Sequence, residues 1–205
     1  MCHGASLAAA VGAGGATVQS TTMTAGAGTE SRALLVRRFA VRAEEAGAHV
    51  HVVGANEAAS TIQDLIARLH AEPAAGSPEL EAVGLRPESL AVASAPADAS
   101  TAGAGVSLAN AGIAETGSVV LMGSAAARWV SLLAPVHVVV VRAASIESSL
   151  DDVAHLLEEA RQRHVPYTTL ITGPTRTADI ERVITVGAHG PRALEIIVLE
   201  DGADD

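Results

Sequence analysis

Lysine is missing from this chain, and all 13 of its basic residues are arginine. That excludes Schiff-base and lysine-nucleophile chemistry. Cysteine occurs once, as Cys2. No disulfide can form within the chain, and one thiolate cannot hold an iron–sulfur cluster. Thiol catalysis at Cys2 is not expected. Aromatic residues number three, Phe39, Trp129 and Tyr167, so the core must be built from Ala, Val, Leu and Ile. The CxxC, HExxH and Walker A patterns are absent, and the glycines around Gly103 and Gly105 do not fit a dinucleotide fingerprint. No metal site or cofactor is therefore expected in this chain. No apolar run approaches the roughly 20 residues that span a bilayer. The net charge of −10 argues against nucleic-acid binding, which depends on basic patches that neutralise phosphates. It suits a soluble cytoplasmic protein.

What remains is a chain of 205 residues with nearly half of them apolar, enough for one domain with an ample core. Residues 1–28 are mostly Ala, Gly, Ser and Thr and are expected to be disordered. The run Leu7–Val11 is too short for a signal-peptide core and lacks a basic flank. The composition shift near Met23 suggests a start at that residue. Residues 29–205 are expected to form a single α/β domain.

Hydrophobic periodicity organises that domain. Ser31–Glu45 is predicted as a helix with Leu35, Phe39 and Ala43 on one stripe and Gly47 as its stop. His49–Val53 reads as a strand. Ser60–Gln63 resembles a capping box for a helix whose apolar face is Ile62, Leu65, Ile66 and Leu69, although initiation at Asn56 fits as well. Three prolines make Glu72–Glu88 a loop. Leu90–Ser94, Val106–Asn110 and Ser118–Met122 read as strands, the last two joined through the Ala114–Gly117 turn. Ala125–Leu133 reads as a helix stopped before Pro135. The β-branched run Val136–Val141 is the pattern of a strand buried on both faces. Glu147–Arg163 is a helix with Leu150, Val153, Leu157 and Ala160 inward. Tyr167–Thr172 and Leu194–Leu199 complete the strands. Alternation of this kind implies a layered α/β fold with a mostly parallel sheet flanked by helices.

The most informative stretch is Ile171–Glu181. Gly173 and Pro174 break a strand, and Thr175 and Thr177 are good caps for a helix predicted over Thr177–Thr185. A strand, a turn and a helix N-terminus make an anion site, to which Arg176 adds a guanidinium. The other possibility is that the hydroxyls only cap, and that Asp179 and Glu181 only complement the helix dipole. If the strand belongs to the parallel sheet, the Gly173–Asp179 turn lies beyond its carboxyl end, where such sheets bind ligands.

Three further places carry candidate chemistry. Glu115, in Glu115-Thr116-Gly117, is either a general acid/base or ligand-positioning carboxylate or a loop ion-pair partner, and Gly117 would let backbone approach a ligand. His189, between Gly187 and Pro191, is either a proton shuttle or a ring that ties down its loop. Arg128 either closes over an anion or is a surface charge. His137 reads as a satisfied core histidine. His49, His51, His155 and His164 show no metal-ligand pairing with carboxylates.

Taken together, Ile171–Glu181, Ala114–Leu121, Gly187–Pro191, Arg128 and the Pro135–Val139 run resemble the LUD domain of the lactate utilisation protein C family over about residues 31–200. The resemblance implies the NagB/RpiA/CoA-transferase-like fold. It implies a role in oxidising L-lactate to pyruvate with partner subunits that carry iron–sulfur clusters. This chain would be an accessory or ligand-binding subunit, with Glu115 and His189 as catalytic candidates. Thr116, Gly117, Arg128, Gly173, Thr175, Arg176, Thr177 and Asp179 would bind a small carboxylate or phosphate. Two other classes stay open: a stand-alone enzyme, acyl-CoA transferase or sugar-phosphate isomerase-like, and a purely structural or regulatory module.

Overall fold

The computed structural model describes residues 31–90, 93–94, 101–178, 184–186 and 190–200. The segment expected to be disordered, the proposed start at Met23, Asp179 and His189 lie outside the described residues.

In chain order the elements are α1 (Arg32–Glu45), β1 (His49–Gly54), α2 (Ala58–Arg68), β2 (Ala74–Gly76), α3 (Pro87–Leu90), β3 (Ala93–Ser94), β4 (Ala104–Leu108), β5 (Ala111–Ile113), β6 (Ser118–Gly123), α4 (Ala125–Leu133), β7 (Val136–Arg142), β8 (Ile146–Glu147), α5 (Leu150–Gln162), β9 (Tyr167–Ile171), β10 (Arg176–Ala178), β11 (Ile184–Val186) and β12 (Ala193–Glu200). Two 3-10 helices, Pro78–Val83 and Ala143–Ser145, lie between them.

The central sheet has six strands in the order β1-β12-β7-β4-β2-β3, and every pairing in it is parallel. β7 lies near its middle, and Val136–Val141 are all buried. Their alternation feeds two cores. Val138 and Val140 pack with Ile62, Leu65 and Ile66 of α2 on one face. Val139 and Val141 pack with Phe39 and Ala43 of α1 and Val119 and Leu121 of β6 on the other. A strand between two apolar layers has no polar face, which is why this run contains no alternation in the sequence. Each fully buried valine contributes about 1.5–3 kcal/mol of transfer free energy.

Sharing that second core with α1 is a second sheet, β8-β5-β6-β9, in which β5–β6 and β6–β9 are antiparallel and β5–β8 is parallel. α1 starts at Ser31, whose side chain accepts from the backbone N–H of Leu34. α5 starts at a capping box between Ser149 and Asp152.

Several boundaries differ from expectation. α2 begins at Ala58, and Ser60 lies inside it, its hydroxyl donating to the Glu57 carbonyl. Gln63 donates to the Ser89 carbonyl instead of closing a capping box. The proline-rich stretch is not a plain loop: it holds β2, a 3-10 helix and the start of α3. Pro78 sits in the first turn of the 3-10 helix, where its missing N–H costs nothing. α5 starts at Leu150, since Glu147 pairs with Ile113 in β8, and Leu150 is exposed.

The largest correction concerns the predicted helix Thr177–Thr185. Arg176–Ala178 and Ile184–Val186 are instead antiparallel partners, Arg176 opposite Val186 and Thr177 opposite Thr185. Thr177, Ile184, Thr185 and Val186 are β-branched and favour extended backbone. Arg176 therefore does not stand at a helix N-terminus, and the dipole argument for an anion there falls away.

Candidate functional site

The separate sequence motifs are stitched to one another. Gly117, with φ +67, packs so tightly on α1 that a Cβ would lie 2.1 Å from the Ala43 nitrogen. At Gly173, with φ +73, a Cβ would lie 2.2 Å from the Ala46 carbonyl oxygen. Both turns thus grip the C-terminal end of α1. The close approach that Gly117 allows is to a helix backbone. Hydroxyls join the same two turns: Thr116 Oγ1 is 2.7 Å from Ser118 Oγ, which is 2.6 Å from Thr172 Oγ1. Across the next turn, the Thr175 N–H donates to the Pro191 carbonyl at 2.9 Å. A Cβ on Gly190 would meet Thr175 Oγ1 at 2.5 Å. The third motif therefore closes on the first.

Where they meet is a cavity of about 80 Å³, walled by His137, Tyr167, Thr169, Thr175, Pro191 and Leu194, with Ser131, Leu132, Ile171, Gly173 and Pro174 completing it. At roughly 10–15 Å³ per water-sized group it holds about six heavy atoms. It lies by the starts of β7 and β12, at the amino ends of these parallel strands. The turn after β9 does not lie beyond the carboxyl end of that sheet, because β9 belongs to the second sheet and runs antiparallel to β6. The expected ligand position at the carboxyl ends is thereby corrected.

His137 is the group that sequence reasoning underrated. It is fully buried, and Nε2 lies 2.7 Å from Ser107 Oγ. Its Nδ1 has no hydrogen-bond partner, so the expectation of a satisfied core histidine holds for one nitrogen only. Burial pushes the imidazole down to about 4, so the ring is neutral at physiological pH. Tyr167 OH is 3.3 Å from Ser131 Oγ. The Arg128 guanidinium stands 5.7 Å from the centre of the Tyr167 ring, worth about 0.5–1 kcal/mol at an exposed site. Arg128 thus reaches the site through Tyr167, although it does not line the cavity.

Of the predicted site residues, Gly173 and Thr175 line the cavity. Arg176 and Thr177 follow directly in β10. Glu115 does not join them. It is exposed and lines an open polar cleft with Arg38, Arg42, Ser148 and Ser149. Its backbone N–H donates to the Ser148 carbonyl at 3.0 Å. Arg38 donates to the Ser148 carbonyl and hydroxyl.

A second cluster also escaped sequence reading. Glu195 is buried, with Oε1 3.0 Å from His49 Nδ1 and Oε2 2.9 Å from His51 Nε2. The two histidines share this carboxylate by hydrogen bonds across β1 and β12, from 146 and 144 residues away in sequence. Among the described residues no group of His, Cys, Asp or Glu is arranged to hold a metal ion.

The layered parallel sheet, the added mixed sheet and the motif-walled cavity define a LUD-type α/β protein. The LUD domain family model matches residues 36–199, and the chain belongs to that family. Lactate utilization protein C of Anoxybacillus flavithermus is 36% identical over 91 residues, 43% of this chain and 40% of that protein. Lactate utilization protein C of Halalkalibacterium halodurans is 34% identical over 101 residues, 47% of this chain and 44% of that protein. Uncharacterized protein YkgG of Escherichia coli is 35% identical over 101 residues, 47% of this chain and 44% of that protein. The chain thus matches less than half the length of these relatives. A crystal structure of a DUF162 family protein from Deinococcus radiodurans shares the fold, with a TM-score of 0.65 and 23% identity, covering 83% of this chain and 99% of that one.

Proposed function

We propose that this protein is an accessory, ligand-binding subunit of an L-lactate oxidation system that yields pyruvate and works with iron–sulfur partner subunits. The observation that carries this reading is the convergence of Gly173–Thr175, Pro191 and His137 on one small cavity. Its size suits a three-carbon carboxylate. Relatives named for lactate utilization support the pathway. With a single cysteine, electron transfer through clusters falls to the partners. The described residues contain no helix long and apolar enough to cross a membrane, and the proposed setting is the cytoplasm. Deletion of the chain should abolish growth on L-lactate. The tagged protein, purified anaerobically from lactate-grown cells, should bring down iron–sulfur proteins. Normal growth on lactate without it would overturn the proposal.

One feature favours a second reading, a stand-alone enzyme of acyl-CoA transferase or sugar-phosphate isomerase type. Glu115 is exposed in an open cleft beside Arg38 and Arg42, as a carboxylate nucleophile or base requires. Any turnover of acyl-CoA or sugar phosphate should then vanish in Glu115→Gln. Unchanged turnover removes Glu115 from the mechanism.

A further inference from the structure

Helix α4 buries one side and leaves the other uncovered. Ala127, Val130 and Ser131 are its buried residues. Trp129, Leu132 and Leu133 stand at i, i+3 and i+4, so they are neighbours on the outer side, and they are 46%, 41% and 43% exposed. Single apolar residues scattered over a surface need no explanation. Three large ones side by side, including the chain's one tryptophan, form a patch of the kind that marks an interaction site. The charge around it has one sign. Arg128, exposed, precedes Trp129 and stands over the Tyr167 ring. Arg192, also exposed, is fastened just beyond the helix, its backbone N–H donating to the Pro135 carbonyl. No Asp or Glu occurs between Glu115 and Glu147. Glu79 does reach α4, but at the opposite end, where it accepts from the Ser124 N–H. On a chain of net charge −10 this face is apolar and basic.

We infer that the outer face of α4 docks the iron–sulfur partner subunit, an inference that rests on the partner reading above. The segment that fits is apolar at its centre and bordered by carboxylates. Trp129 is the anchor, of the residue type that dominates interface energetics, and Arg128 and Arg192 form a rim that selects acidic groups. A second copy of this chain fits poorly. Twofold pairing sets the same patch on itself and brings arginines to arginines, with no carboxylate of α4 to meet them. The patch also runs into the cavity: Leu132 is exposed and lines the cavity as well. A subunit seated on α4 therefore borders the ligand site.

The test starts from the tagged full chain, purified anaerobically from lactate-grown cells. It measures the iron and sulfide recovered with the chain, then the affinity for the iron–sulfur protein so obtained. Trp129→Ala should weaken that affinity at least about twentyfold, as loss of a central anchor does. Arg128→Glu with Arg192→Glu should weaken it more at low salt than at high salt. Leu34→Ala, which shortens an exposed leucine on α1, should leave it unchanged. A photoreactive residue in place of Leu133 should cross-link to a partner segment that holds both apolar and acidic residues. The altered side chains are all exposed, so each variant should keep the wild-type melting temperature. Undiminished affinity in Trp129→Ala would overturn the inference and leave the partner reading intact. Dimerisation that Leu133→Arg abolishes would give the face to a second copy. Binding to phosphatidylglycerol vesicles that Trp129→Ala abolishes would give it to a membrane. Either result would overturn the inference. Recovery of no iron–sulfur protein with the wild type would overturn both the inference and the partner reading.

Discussion

Acid should destabilise this protein through His137, and the size of the effect follows from its burial. An unfolded imidazole takes up a proton near 6.5. In the fold the ring does so only at about 4, because it is completely buried. Between those values the unfolded state binds more protons than the folded state. Stability therefore falls as pH falls through that window, and the contribution is flat above it. From pH 7 to pH 5 the loss is about 2 kcal/mol, or roughly 4–8 °C of melting temperature for a domain of this size. The assay is urea unfolding of wild type and His137→Asn at both pH values. All other ionisable groups are common to both proteins, so the difference between the two pH-dependences isolates His137. Wild type should lose about 2 kcal/mol more than the variant. Equal losses would refute the reasoning and would mean that the ring reaches water or finds an anionic partner.

Other outcomes follow from the packing. Gly117→Ala should cost several kcal/mol, on the order of 3 or more, because the new Cβ meets the α1 backbone and the φ is left-handed. Gly84→Ala, with φ +74 and nothing within 4 Å, should cost only about 1 kcal/mol; thermal melts of the pair separate collision from backbone strain. His51→Ala should cost about 1–3 kcal/mol by leaving a buried carboxylate oxygen of Glu195 without its donor. His49→Ala should cost less, since that side chain is 72% exposed and water can take its place. Equal costs in denaturant titrations would contradict the exposure argument.

Local rules carried the helices and the buried strands. The caps were not read: Ser31, Ser124 and Ser149 each accept from a backbone N–H in the first turn of their helices, whereas the capping box expected at Ser60 does not form. The valine run of β7 was legible because a strand buried on both faces needs apolar side chains at every position. The Gly173 segment was misread for an equally physical reason. Capping threonines before a polar stretch suit a helix, but Thr177 and Thr185 are also good strand residues, and cross-strand pairing decided between them.

The site itself was only partly legible. Gly173 and Thr175 reach the cavity, but the placement of Glu115 in a different cleft depends on how α1 and α5 pack against the β5–β6 turn. His137 looked inert because a histidine among valines reveals nothing of what its second nitrogen meets. Ser107 and Tyr167, which set its surroundings, are 30 residues away in sequence in each direction. Composition alone determined that this chain holds no cluster of its own cysteines and uses no lysine chemistry, because those depend on residue types being present. The amphipathic periods determined the layered α/β class, because burial of apolar faces is a local demand. Only the tertiary structure decided that β10 pairs antiparallel with β11, that Glu195 bonds two histidines, and that one nitrogen of a buried histidine is left without a partner. Each of these is set by contacts between segments far apart in the chain, whose geometry no short stretch of sequence contains.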